Sequence, residues 1–92
     1  MKETVFTFEC RLLESESAKQ IEEVKQQLLK VQGVEDVGED VQSSSFVDLK
    51  VHVKFDDAQA AKDLHWKLTK MIDKAEGLAL IGVSSVLTDI FD

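Results

Sequence analysis

Proline and tyrosine are absent from this chain, cysteine and tryptophan occur once each, and glycine appears only four times in 92 residues. A lone cysteine, Cys10, forms no intramolecular disulfide and supplies no thiol set for an iron–sulfur cluster, a usage that fits a reducing compartment. The scattered glycines build no phosphate-cradling loop, and neither a nucleophile elbow nor a His-Glu-x-x-His helix is present. No apolar run approaches the ~20 residues of a membrane span. The first ten residues alternate polar and apolar where a signal peptide needs an unbroken apolar stretch, so the expected address is the cytoplasm, without a membrane partner.

Positive charge is also missing from one segment. Residues 31–49 contain Glu35, Asp36, Glu39, Asp40 and Asp48 with no lysine or arginine, whereas residues 1–30 carry five basic against six acidic side chains and residues 50–92 six against seven. Nearly all of the net charge of −7 therefore sits in that stretch. It should repel nucleic-acid phosphates, and nucleic acid is not an expected partner. With 43% hydrophobic and 32% charged residues the composition is that of a globular chain. The length suits a single domain, 1–92, burying roughly 60–65% of its unfolded surface, so that burial against a partner would add noticeably to its stability.

What is present is strong periodicity. In residues 4–13 Phe6, Phe8, Cys10 and Leu12 alternate with Thr7, Glu9 and Arg11, the pattern of a half-buried strand. Ser17 with Gln20 reads as a capping box, after which Ala18, Ile21, Val24, Leu28 and Val31 mark a helix from about 17 to 32 that stops at Gly33. Residues 34–42 form a weaker strand with Val37 and Val41 facing in, followed by a Gln-Ser-Ser-Ser turn. Val47, Leu49, Val51, Val53 and Phe55 then alternate with Asp48, Lys50, His52 and Lys54. Asp56 with Gln59 gives a second capping box, opening a helix over about 57–75 through Ala61, Leu64, Leu68, Met71, Ile72 and Ala75, closed by Gly77. Residues 78–91 read as a strand of poor alternation: Ile81, Val83, Leu87 and Phe91 fall on one face, and Leu80, Val86 and Ile90 on the other. A bulge near Gly82 would reconcile the two sets.

Two strand–helix–strand units joined by a hairpin resemble the ferredoxin-like superfold. The expected fold class is α+β, a two-layer βαββαβ sandwich with a four-stranded antiparallel sheet in the order 4132 and two helices on one face. That superfold hosts many unrelated activities, so function has to come from side chains. Heavy-metal-binding domains of similar layout place two cysteines after the first strand, where this chain has Leu12-Leu13-Glu14-Ser15-Glu16-Ser17. RNA-recognition motifs expose aromatic rings on the central strands, where this chain has Asp48, Lys50, His52 and Lys54. Acylphosphatases need a glycine-containing loop with an arginine after the first strand, and amino-acid-sensing regulatory domains a Pro-Gly turn there; neither occurs. No cofactor, metal site or catalytic residue is expected.

The acidic run Glu35–Asp40 lacks the ligand spacing of a calcium loop and reads as protection of an edge strand. Cys10 reads as a small core residue and His65 as a boundary residue of the second helix. A polar candidate site comprises Glu9, Arg11, Lys50 and His52 on the open sheet face, with Glu9 and His52 as neighbours across central strands, although a plain charge ladder accounts for the same residues. Partner-binding candidates are of two kinds. Trp66 points about 160° away from the apolar stripe of its helix, taking the usual 100° per residue, with Lys62 and Lys70 four residues to either side, able to cover its ring. Val86 and Ile90 would join Val5 as an apolar patch at the last strand. The function expected is that of a non-enzymatic protein-interaction or regulatory module, self-association included. The alternative is a dimeric α/β-barrel enzyme or small-ligand-binding protein in which two open sheet faces enclose a pocket.

Overall fold

The structure, a computed structural model, describes residues 2–13, 17–41, 43, 45–75 and 77–85. Along these the order is β1 (Lys2–Leu12), α1 (Ser17–Leu29), β2 (Val34–Val41), β3 (Phe46–Phe55), α2 (Ala58–Asp73) and β4 (Leu78–Ser85). The four strands form one antiparallel sheet in the order β2-β3-β1-β4. The expected 4-1-3-2 succession names the same neighbours counted from the opposite edge. β1 and β3 are central and pair over ten residues, Lys2 with Phe55 through Arg11 with Phe46.

That register puts Phe6, Phe8 and Cys10 of β1 and Val47, Leu49, Val51, Val53 and Phe55 of β3 on one side, while Val5 and Phe46 face the other. Phe6 lies opposite Val51, Phe8 opposite Leu49 and Cys10 opposite Val47, all with essentially no exposed surface. Against this side pack Ile21, Val24 and Leu28 of α1 and Ala61, Leu64, Leu68 and Ile72 of α2, in one continuous core. Both helices therefore cover the same face of the sheet. Apolar stripes recurring every three or four residues are what allow each helix to lie flat on a pleated apolar surface. Met71 and Ala75, assigned to the stripe by their spacing, flank the core as partly buried residues.

Helix boundaries follow local chemistry. α2 is capped by Asp57, one residue later than its spacing with Gln59 suggests: Asp57 has extended backbone and its carboxylate accepts from the Ala60 N–H at 2.8 Å. Gln59 instead donates to Asp63 one turn on, at 3.0 Å. α1 ends at Leu29, and the chain turns through tightened hydrogen bonds to Gly33, whose φ of +100° favours glycine. The Gly33 carbonyl then accepts from Lys54 N–H at 2.8 Å, tying that turn to the end of β3. Gly77 has φ +78°, which favours glycine, and the end of the Gln20 side chain from α1 lies where a side chain at this position would start.

Two expectations about facing are corrected. Val41 lies opposite Val47 yet is 61% exposed, because it ends an edge strand beyond the Lys25–Glu39 contact by which α1 reaches β2. In β4 the alternation resets. Leu78 and Leu80 sit opposite Leu12 and Cys10, Gly82 sits opposite Glu9 and Val83 opposite Phe8, so Ile81 is an extra, bulged residue. Leu80 and Val83 thus share the core side, contrary to an unbroken two-residue period, and Ile81 is 54% exposed. Positions 86–91 of the expected strand, with Val86 and Ile90, lie outside the described residues.

Replacing Leu68, fully buried at the centre of α2, by alanine is expected to cost about 2–5 kcal/mol, whereas Asp57→Ala, which removes only a cap, is expected to cost about 1 kcal/mol. Urea denaturation followed by circular dichroism checks the ranking, and equal losses would mean that α2 does not seal the core.

Candidate functional site

The open side of the sheet carries the polar candidates, and the strand register decides which of them meet. Val5 lies opposite His52, Thr7 opposite Lys50, Glu9 opposite Asp48 and Arg11 opposite Phe46. Glu9 and His52 are therefore four residues apart along the strands, roughly 13 Å at 3.3 Å per residue, and are not neighbours. No proton passes directly between groups so placed. The row through Glu9 continues across β3 to Asp40 of β2, so three carboxylates lie abreast. Lys50, one rung away, reaches Asp40 at 3.7 Å. The result is a ladder of charged rungs open to water.

At the other end of this face, Lys54 is held by Glu35 at 2.8 Å and Glu3 at 3.4 Å. Hydrogen bonding to Glu35 first, then to Glu3, pushes the Lys54 pKa above its ordinary value. Glu35 reaches it because β2 bulges between Val34 and Asp36. A notch of about 230 Å³ lies beside this pair, lined by Glu3, Val5, Glu35 and His52 among others. A larger groove of about 440 Å³ runs between the two helices past Gln20, Val24, Gln27, Met71 and Lys74. Among the described residues no group of three or more histidines, cysteines or carboxylates converges as a metal would require, and no described helix is long and apolar enough to cross a membrane.

Cys10 is buried on the core side, and burial together with the nearby Asp48 charge raises its thiol pKa to about 11. A thiol so raised stays protonated near neutrality and is a poor nucleophile.

His65 is half-buried at the margin of the α2 stripe, as its position in the sequence suggests. Its ring meets Phe6 edge-on at 4.9 Å and stacks near Phe8 at 5.8 Å, and its Nε2 is buried without a hydrogen-bond partner among the described residues. Desolvation lowers its pKa from the ordinary 6.5. The position immediately after Leu64 in the apolar stripe was the sequence signal; the two phenylalanines beneath it were not legible.

Trp66 lies on the opposite side of α2. The residue is 62% exposed, and the Lys70 ammonium stands 4.9 Å from the ring centroid in a cation–π contact. Lys62, one turn before, is also at the surface. Of the last-strand patch, Val5 is half-buried beside His52, while its expected companions Val86 and Ile90 fall outside the described residues. Compared with models of known protein families, with curated proteins and with solved structures, the chain matches none.

The His65 environment makes stability depend on pH with a definite sign. The unfolded chain takes up the proton more readily than the folded one, so this contribution is intact above pH 6.5 and is lost as the pH falls below it. Urea midpoints measured between pH 7.5 and 5.5 are expected to fall less steeply for His65→Leu than for the wild type. Parallel slopes would show that the imidazole is freely solvated.

Proposed function

We propose that the chain is a non-enzymatic module of ferredoxin-like fold that works by associating with another protein, docking it on the outer face of α2. The fold assignment is supported by the element order, the strand order and the single helical layer. The docking assignment is carried by Trp66: a tryptophan 62% exposed on a helix whose opposite stripe is engaged in the core. Tryptophan is enriched where interfaces concentrate their energy, and burying the rest of this ring would contribute on the order of 2 kcal/mol. A barrel with two open faces enclosing a pocket would have to bury Lys50, Lys54 and their carboxylate partners, at a desolvation cost that ion pairs of this exposure do not offset.

Because Trp66 is outside the core, Trp66→Ala is expected to change stability by no more than about 0.5 kcal/mol while abolishing capture of partner proteins by the immobilised chain. Capture indistinguishable from wild type removes the α2 reading; a variant that unfolds shows instead that the ring supports the fold.

A second route to association runs through the β4 edge. Its residues, Leu78–Ser85, carry no charge, and Ile81 and Val83 are 54% and 38% exposed, in contrast to the acidic β2 edge. If two copies pair there, light scattering should report a concentration-dependent dimer in the wild type and a monomer in Ile81→Asp. A monomer at every concentration discards this route.

A further inference from the structure

We infer that the partner docked by α2 is acidic: a polypeptide segment presenting an apolar side chain flanked by carboxylates to the ridge Lys62, Trp66, Lys70 and Lys74. The inference rests on the reading of α2 as the docking face and adds the chemistry of what docks there.

The four residues are spaced at i, i+4, i+8 and i+12, and all are at the surface. Rows of this spacing are the ridges that helices insert into grooves of an opposing element, and this one is about 18 Å long at 1.5 Å per residue. Lys74, the C-cap, keeps right-handed helical backbone (φ −88°, ψ −6°), so the ridge continues through the helix end. Three of its members are cations and the fourth is the exposed indole. Lys70 already lies against the ring at 4.9 Å, so its ammonium is held near a fixed place and loses less freedom when a carboxylate arrives.

The surrounding charge selects the sign of the partner. α2 with both its caps, Asp57 to Lys74, carries four lysines against three aspartates, while the rest of the chain carries seven basic against fifteen acidic side chains. An anionic segment is drawn to α2 and repelled from the remainder, most strongly from residues 31–49. The same asymmetry argues against a nucleic acid or an anionic bilayer, because either would bring a broad array of phosphates up against the acidic body together with the ridge. One short acidic segment meets the ridge alone.

Three synthetic peptides test this, each lacking tryptophan, with the same central Leu-Phe-Leu and flanks of glutamate, serine or lysine. Trp66 is the chain's one tryptophan, so its emission reports occupancy of the ridge directly, and calorimetry serves for the variants. The glutamate-flanked peptide should bind at least ten-fold more tightly than the serine-flanked one in low salt, and the gap should close in 0.5 M salt. Lys62→Glu combined with Lys70→Glu, checked for native circular dichroism, should transfer the preference to the lysine-flanked peptide. Equal, salt-independent binding of the glutamate and serine peptides overturns the acidic partner and leaves the docking face standing. Absence of binding by all three at millimolar concentration overturns both. Tighter binding of single-stranded DNA or of phosphatidylserine vesicles overturns the inference, as does a mass increase of the chain alone that the charge reversal abolishes, since the ridge would then be serving a second copy.

Discussion

The burial of one side of β1 is the constraint on which the other elements depend. Phe6, Phe8 and Cys10 are sealed because β3 pairs along one flank of β1, β4 along the other, and two helices close the layer above. Remove that side and no element has a reason to stay: β3 loses its longest pairing, and each helix is left with an apolar stripe facing water. The same burial explains why the open side can be so polar. A sheet with one apolar face needs nothing from the other except that its like charges not crowd. Here that condition is met only in part: Glu9, Asp48 and Asp40 lie abreast, and Lys50 and Lys54 offset the crowding by meeting Asp40, Glu3 and Glu35 directly.

A central strand with neighbours on both sides leaves two edges, and they are treated differently. β2 carries four carboxylates in eight residues and a bulge at Glu35, either of which discourages another strand from pairing. β4 has no charge, and its bulge at Ile81 is the only such device among its described residues. A bulge twists the edge away from a flat partner but also turns out an apolar side chain. Protection at β4 is therefore geometric and incomplete, whereas at β2 it is electrostatic and redundant.

How much of this was legible in the sequence depends on what kind of information each feature needs. The faces of β1 and β3 were legible because a two-residue period reports which side a residue is on. It reports only parity: alternation placed Glu9 and His52 correctly on the open face but could not place them on the same rung, and register puts them roughly 13 Å apart. β4 defeated the period itself, since one inserted residue exchanges the faces of all that follow. The α2 cap was ambiguous because Asp56 and Asp57 have the same capping chemistry, and backbone conformation chose the second. Val41 shows a further limit, because alternation says which way a side chain points and not whether a helix extends far enough to cover it. Trp66 was placed outward by helical geometry alone, and its cation–π contact with Lys70 followed from the i,i+4 spacing. The tight contact of His65 with Phe6 and Phe8 arises between distant parts of the chain, which no local pattern encodes.

α2 bears two loads that do not interfere. Its inner stripe, Ala61, Leu64, Leu68 and Ile72, is fixed by the core, and His65 at the margin is already constrained by two aromatic rings. Its outer ridge lies outside the buried core. Side chains there are selected by helix propensity and solubility, for which lysine is well suited and tryptophan is not: an exposed indole keeps apolar area in water and adds no helix preference. Lys70 recovers part of that cost through its contact with the ring, but it leaves 62% of the residue exposed. A residue that the core does not use, that the solvent does not favour and that its neighbour only partly shelters is best accounted for by something that covers it. Under the proposed docking reading, the lysines along the same ridge set the sign of that covering surface.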